Sequence, residues 1–359
     1  MDQTFKYIFL LFCCCAVTSL TNVSNRKIIS RLYRILLGFL NAIFILALSS
    51  ATLSLTICFQ NTVLSASINV SCIVIVILRC ALLKKINQLK YITALLGEFK
   101  VRKAEENILW LKVLIVLTVL SQTFILAYKL SLPKEVMDVS YFLFGYTVQR
   151  KLYRDAITIL FDINSLFFAF MPLLTFVLFY TAVCHRASSI IQRFGDTLAK
   201  KNEFNYEMIL HSYTRIKSAV NFIDNKVGFL VFTTVLYSSC ILCFALYYVM
   251  ESSMFTHTLD RLIIFHQIFS TLLMLIIMSI SASRVGEASS EISSLALNLP
   301  KSKEGSSFYQ QRFIMLAEKE ITMTVWRIVP IRRSFIFSIS GVLFTYTLMF
   351  YNMNPYKNK

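Results

Sequence analysis

Long apolar runs alternate with polar segments along this chain. Seven of the runs, at 35–57, 62–83, 108–128, 157–184, 228–250, 260–282 and 334–353, reach the ~20 residues a helix needs to cross the hydrocarbon core. The pattern predicts an all-α, polytopic membrane protein with seven transmembrane helices. The polar segments are not featureless. Across 185–227 the positions Tyr206, Ile209, Leu210, Tyr213 and Ile216 recur at helical spacing, so helices are expected to pack beyond the membrane there and in 283–333. That pattern breaks from Leu299-Pro300 through Ser307 and resumes at Phe308, which predicts a final polar-side helix feeding the seventh span. The chain divides accordingly into an amino-terminal segment (1–34), six spans with their loops (35–282), a helical segment (283–333), a last span (334–353) and a short tail (354–359).

Composition sharpens this reading. Hydrophobic residues make up 57% of the 359 and charged residues 15%, which excludes an ordinary water-soluble domain. Phe contributes 31 and Tyr 17, whereas Gly (8) and Pro (5) are scarce, so long helices are favoured over a β-barrel with tight turns. The net charge of +17 does not imply nucleic acid, because the Lys and Arg residues cluster between apolar runs as membrane-flanking charges. With the amino terminus inside, 27 of them fall on the inner side and 8 on the outer. The densities, however, are both about 0.17 per residue, so charge alone leaves the orientation open. Arg79 and Lys112 lie within spans and are expected to snorkel to the inner headgroups. The nine cysteines show neither metal-ligand spacing nor a disulfide framework, and the apolar stretch Phe5 to Ala16 lacks a convincing cleavage site, so it stays with the chain.

No enzyme machinery is visible. Four scattered histidines, His185, His211, His257 and His266, form no His-x-x-x-His pair, and neither a nucleophile elbow nor a phosphate-binding glycine loop occurs. No cofactor or metal is expected. A seven-span receptor coupled to G proteins is the obvious competitor, yet the third span ends without an Asp-Arg-Tyr-type sequence. Asn354-Pro355-Tyr356 matches the Asn-Pro-x-x-Tyr element of such receptors only superficially.

The last span is more informative. Thr345-Tyr346 is followed by Thr347, Leu348, Met349, Phe350 and Tyr351, and then by Asn352-Met353. This resembles the signature of the insect gustatory receptor family: Thr-Tyr, five mostly apolar residues, then Gln-Phe. Here Asn352 and Met353 stand in for the final pair, one amide for another and one bulky apolar group for another. Phe313-Ile314, Ile328 through Arg333 and Phe335 resemble the family's helix, short break and basic start before its last span.

The resemblance implies a plasma-membrane, ligand-gated nonselective cation channel, a homotetramer or a heteromer of related receptors. Its amino terminus would be intracellular, 283–333 part of a cytosolic helical anchor, and the last span of each subunit would line the pore. Thr345, Met349, Asn352 and Met353 share one helical face, with Ser338 and Gly341 extending it. Methionine side chains there would close the pore by dewetting and the Asn352 amides would offer oxygen to a permeating cation. The structural alternative is that Asn352 caps at the outer interface and the methionines pack on a neighbour. A small-molecule tastant would bind in the outer half of the first six spans, where Gln122, Tyr128, Asp162, Asn164, Tyr247, Tyr248, His266 and Gln267 are the candidate contacts. Asp162 is costly inside a span and would be met by His266, Arg261 or the ligand. The sugar-sensing branch carries an acid directly after Thr-Tyr, and Thr347 stands there instead, so a bitter or plant-compound type is expected. An odorant receptor subunit needing a co-receptor is the nearest alternative.

Overall fold

A computed structural model describes residues 3–14, 27–58, 62–99, 148–200, 205–250, 258–300 and 307–352, with isolated positions between 113 and 124. The expected span at 108–128 therefore lies largely outside the described residues. The described elements run α1 (Gln3–Cys14), α2 (Lys27–Cys58), α3 (Thr62–Glu98), α4 (Lys151–Ser165), a π-helical turn (Leu166–Phe170), α5 (Met171–Lys200), α6 (Tyr206–Met250), α7 (Thr258–Leu297), α8 (Ser307–Glu318), β1 (Thr324–Val325), β2 (Val329–Pro330) and α9 (Ser334–Asn352). Among the described residues the fold is all-α apart from that two-stranded hairpin. Ile163–Lys200, Tyr206–Met250 and Ile264–Leu297 are each long and apolar enough to cross a membrane, and Gly38–Ser50 and Ser334–Met349 are shorter apolar helices. The chain is a multi-pass membrane protein.

Most of these helices outrun the bilayer. The apolar run in α6 starts near Gly228, but the helix begins at Tyr206, where the Asn205 side chain accepts from the Met208 backbone N–H at 3.1 Å and caps the first turn. At 1.5 Å per residue, the 206–227 stretch carries α6 about 30 Å past the apolar run. Likewise α3 continues to Glu98, α5 to Lys200 and α7 to Leu297. These extensions and α8 form a helical base. Its centre is an aromatic cluster in which Tyr213 of α6 stacks on Phe194 of α5 (5.6 Å between ring centres) and meets Phe313 of α8 edge-on (5.5 Å).

Three polar fastenings tie α8 into that base. The buried Lys217 ammonium donates to the carbonyls of Leu316 and Lys319 at 2.7 and 2.6 Å, at the carboxyl end of α8 where carbonyls lack helical partners. Tyr206 and Gln310 both donate to the Pro300 carbonyl (2.6 and 3.1 Å). The Ser289 hydroxyl accepts from the Ile321 N–H at 2.8 Å.

The amino-terminal helix docks on α5. Phe5, Phe9 and Phe12 of α1 all surround Phe179 of α5, with ring centres 6.1 to 6.4 Å apart. Phe5, Phe9, Phe12 and Ile8 are buried, while Lys6, Tyr7 and Leu10 are exposed, which is the face pattern of an amphipathic helix.

Candidate functional site

The last helix, α9, leans on α6 and α7 through a narrow stripe. Leu343 and Thr347 are buried along it, and the Thr347 hydroxyl donates to the Leu343 carbonyl at 2.7 Å, so no polar group is stranded against the neighbours. The opposite face is open. Thr345, Met349 and Asn352 are all exposed there, as are Ser338 and Gly341 below them. Thr345 donates to the Gly341 carbonyl at 2.8 Å and Ser338 to the Ser334 carbonyl at 3.1 Å, so these hydroxyls are satisfied within their own helix. Met353 lies outside the described residues.

The base of α9 is held by a compact junction. Residues 326 and 327 form the turn of the β1–β2 hairpin, with Ile328 N–H bonded to the Val325 carbonyl at 3.0 Å. Both turn residues have positive φ, 50° at Trp326 and 61° at Arg327, a backbone region that costs an L-residue roughly 1–2 kcal/mol. Contacts offset that cost. The Trp326 ring packs on Phe232 and Phe229 of α6 at 5.0 and 5.8 Å, pairs worth about 0.5–1.5 kcal/mol each. The turn backbone passes close to Gly228, where a Cβ would make ordinary contact with the Trp326 Cα at 3.4 Å and a larger side chain would not fit. Asp224 of α6 accepts from both the backbone N–H and the hydroxyl of Thr324 (2.8 and 2.7 Å), and Thr324 in turn accepts from the Arg327 N–H at 2.9 Å. Beyond the hairpin, Arg333 forks onto Glu287 of α7 at 2.6 and 2.8 Å, and that bond holds the guanidinium above its ordinary pKa.

Among the candidate ligand contacts, Tyr247 is buried and meets Tyr351 of α9 edge-on at 6.1 Å, so it links α6 to the last helix. Tyr248 packs on Phe244 at 5.9 Å, and His266 and Gln267 are half-buried on α7. Asn164 is buried at the end of α4. Gln122, Tyr128 and the Asp162 side chain lie outside the described residues.

Arg79 corrects a reading from the sequence. It does not snorkel: it is 4% exposed, and its Nε donates to Asn41 Oδ1 of α2 at 2.6 Å while Nη1 donates to the Phe168 carbonyl at 3.0 Å. Its guanidinium also lies 4.2 Å from the Phe168 ring centre. Placing an arginine at a span centre costs about 2.5–3.5 kcal/mol by insertion scales. Two hydrogen bonds to a charged donor, at about 1.5–3 kcal/mol each, are enough to offset it. The sequence signal was a polar pair, Asn41 and Arg79, in adjacent apolar runs. The Asp224–Thr324 pair and the hairpin carried no comparable signal, the break before the last span having been read only as a basic start.

No protein-family model and no curated protein matches this chain. Solved structures do. It superposes on the insect olfactory receptor OR5 from Machilis hrabei with a TM-score of 0.68 at 13% identity, covering 97% of this chain and 99% of that one. On the same receptor in complex with eugenol the TM-score is 0.66 at 14% identity, covering 98% and 100%. The chain has the fold of an insect olfactory receptor. The hairpin junction holds α9 near its start, through Trp326 on Phe229 and Phe232, and Tyr247 meets it near its end, at Tyr351.

Proposed function

We propose that this protein is a chemosensory receptor of the plasma membrane that acts as a ligand-gated nonselective cation channel, with its amino terminus in the cytosol. The observation that carries the proposal is the asymmetry of α9: one narrow stripe joins it to α6 and α7, while Thr345, Met349 and Asn352 face away from the rest of the chain. A symmetric ring of copies gives that face a pore to line. Four copies are the stoichiometry of this reading. Met349 supplies the dewetted constriction and Asn352 the amide oxygens. The olfactory receptor solved with eugenol supports a small-molecule ligand.

Two ligand classes fit the fold. The Thr345-Tyr346 element and its following residues favour a gustatory receptor for bitter or plant-derived compounds. The solved structures favour an odorant receptor. Whole-cell recording from cells that express this chain alone, with G-protein signalling blocked, tests the channel. A rapid ligand-evoked cation current is expected, with its conductance or ion selectivity altered by Asn352→Ala and its closed-state leak raised by Met349→Ala. Surface-expressed protein that never conducts, alone or with a co-receptor, overturns the proposal. Current that appears only with a co-receptor selects the odorant reading.

A further inference from the structure

Helix α4 does not run straight into α5. Leu166–Phe170 forms a π turn, with the Met171 N–H reaching back to the Leu166 carbonyl. The local cause is Pro172, which has no N–H to offer the carbonyl of Phe168 four residues earlier, and whose ring crowds that carbonyl. Inside a membrane such a carbonyl needs another donor. Arg79 Nη1 supplies it at 3.0 Å, and the same guanidinium covers the Phe168 ring and bonds Asn41 of α2. Phe168 also stacks on Phe44 of α2 at 5.7 Å, so one arginine clasps three helices at the bulge. One extra residue in a turn rotates everything on its amino-terminal side by about 100° relative to an uninterrupted helix. That rotation leaves Asn164 buried and Ile163 and Phe167 outward.

We propose that Arg79 is a specificity-determining positioning residue: by capping the carbonyl that Pro172 orphans, it holds the bulge open and fixes which face of α4, Asn164 included, borders the ligand region. Arg79 need not touch the ligand. The inference rests on the receptor reading above, in which α4 forms part of the wall around a small molecule.

Arg79→Met keeps the volume without the donors, and Arg79→Lys keeps the charge without the planar fork. Hydrogen exchange on the purified full-length chain needs no current. Arg79→Met is expected to raise exchange of the 166–171 amides at least tenfold while leaving the α6 amides unchanged. Adding Pro172→Ala, which restores a backbone donor to the Phe168 carbonyl, is expected to return that exchange to the original level. In whole-cell recording, both Arg79 variants are expected to move half-maximal concentrations by tenfold or more and to reorder responses to eugenol, quinine and fructose. The double variant keeps the reordered panel, because its helix is repaired in the other rotation. Unchanged exchange at 166–171 in Arg79→Met overturns the proposal, as does an unaltered ligand order at normal surface expression. A wild-type chain that carries no current defeats the channel reading instead, and the exchange result still decides the clamp.

Discussion

Single residues settle most of the energetics at the junction below the last helix. Lys217 reaches from α6 to two carbonyls, those of Leu316 and Lys319, at the end of α8. Lys217→Met leaves those carbonyls without this donor, at about 1–3 kcal/mol each, so the purified protein is expected to lose several degrees of thermal stability in a fluorescence-detected chromatography melt. Asp224→Ala is expected to do likewise, since it strips two acceptors from Thr324. Retained stability in both variants would show that the base is held by its aromatic cluster alone. Neither contact was legible in the sequence. Lys217 and Asp224 sit in a helical pattern that predicts their helix correctly, but their partners lie far along the chain, and periodicity carries no information on pairing. Arg79 failed for a related reason: a run of apolar residues gives depth in the bilayer but not the direction a side chain faces.

At the scale of elements, reading was more successful wherever the signal was local. The helices α2, α3, α5, α6, α7 and α9 fall on apolar runs visible in the sequence, and those in α5, α6 and α7 are long and apolar enough to cross a membrane. The hairpin was not visible, because two residues per strand make too short an alternation to separate from a loop. Its place depends on Gly228. A Cβ at 3.4 Å from Trp326 is ordinary contact, so Gly228→Ala is expected to be tolerated, whereas the branched Gly228→Val must push the turn off α6. The measurement is the current's ligand dependence beside surface expression. The valine variant is expected to shift gating and the alanine variant to leave it near the original. Equal behaviour of the two would mean that the turn does not bear on α9.

At the scale of the whole molecule, α9 leaves large apolar side chains open. Phe337, Val342, Phe344 and Met349 are uncovered in a single chain. Lipid accepts such a surface, Ser338 and Thr345 included because their hydroxyls bond within the helix, but the exposed Asn352 amide calls for water or another copy. Native mass spectrometry of the purified protein is therefore expected to show four copies, and a monomer that still conducts would sink the pore assignment. The proposed pore face was legible as a candidate because its motif is contiguous on one helix. The candidate ligand contacts are dispersed over several helices, and among the described ones Tyr247 meets the last helix at Tyr351.

The seating of α1 on Phe179 sets an order of events during synthesis. Phe5, Phe9 and Phe12 leave the ribosome long before their partner ring, a wait on the order of ten to thirty seconds at about 5–20 residues per second. Through that interval the helix has only the membrane surface to shelter its greasy side. Its exposed lysine and its phenylalanine row suit such a temporary berth. Nascent chains halted before α5 should accordingly hold α1 at the bilayer surface, and only chains that have passed Phe179 should shield it from a protease added on that side.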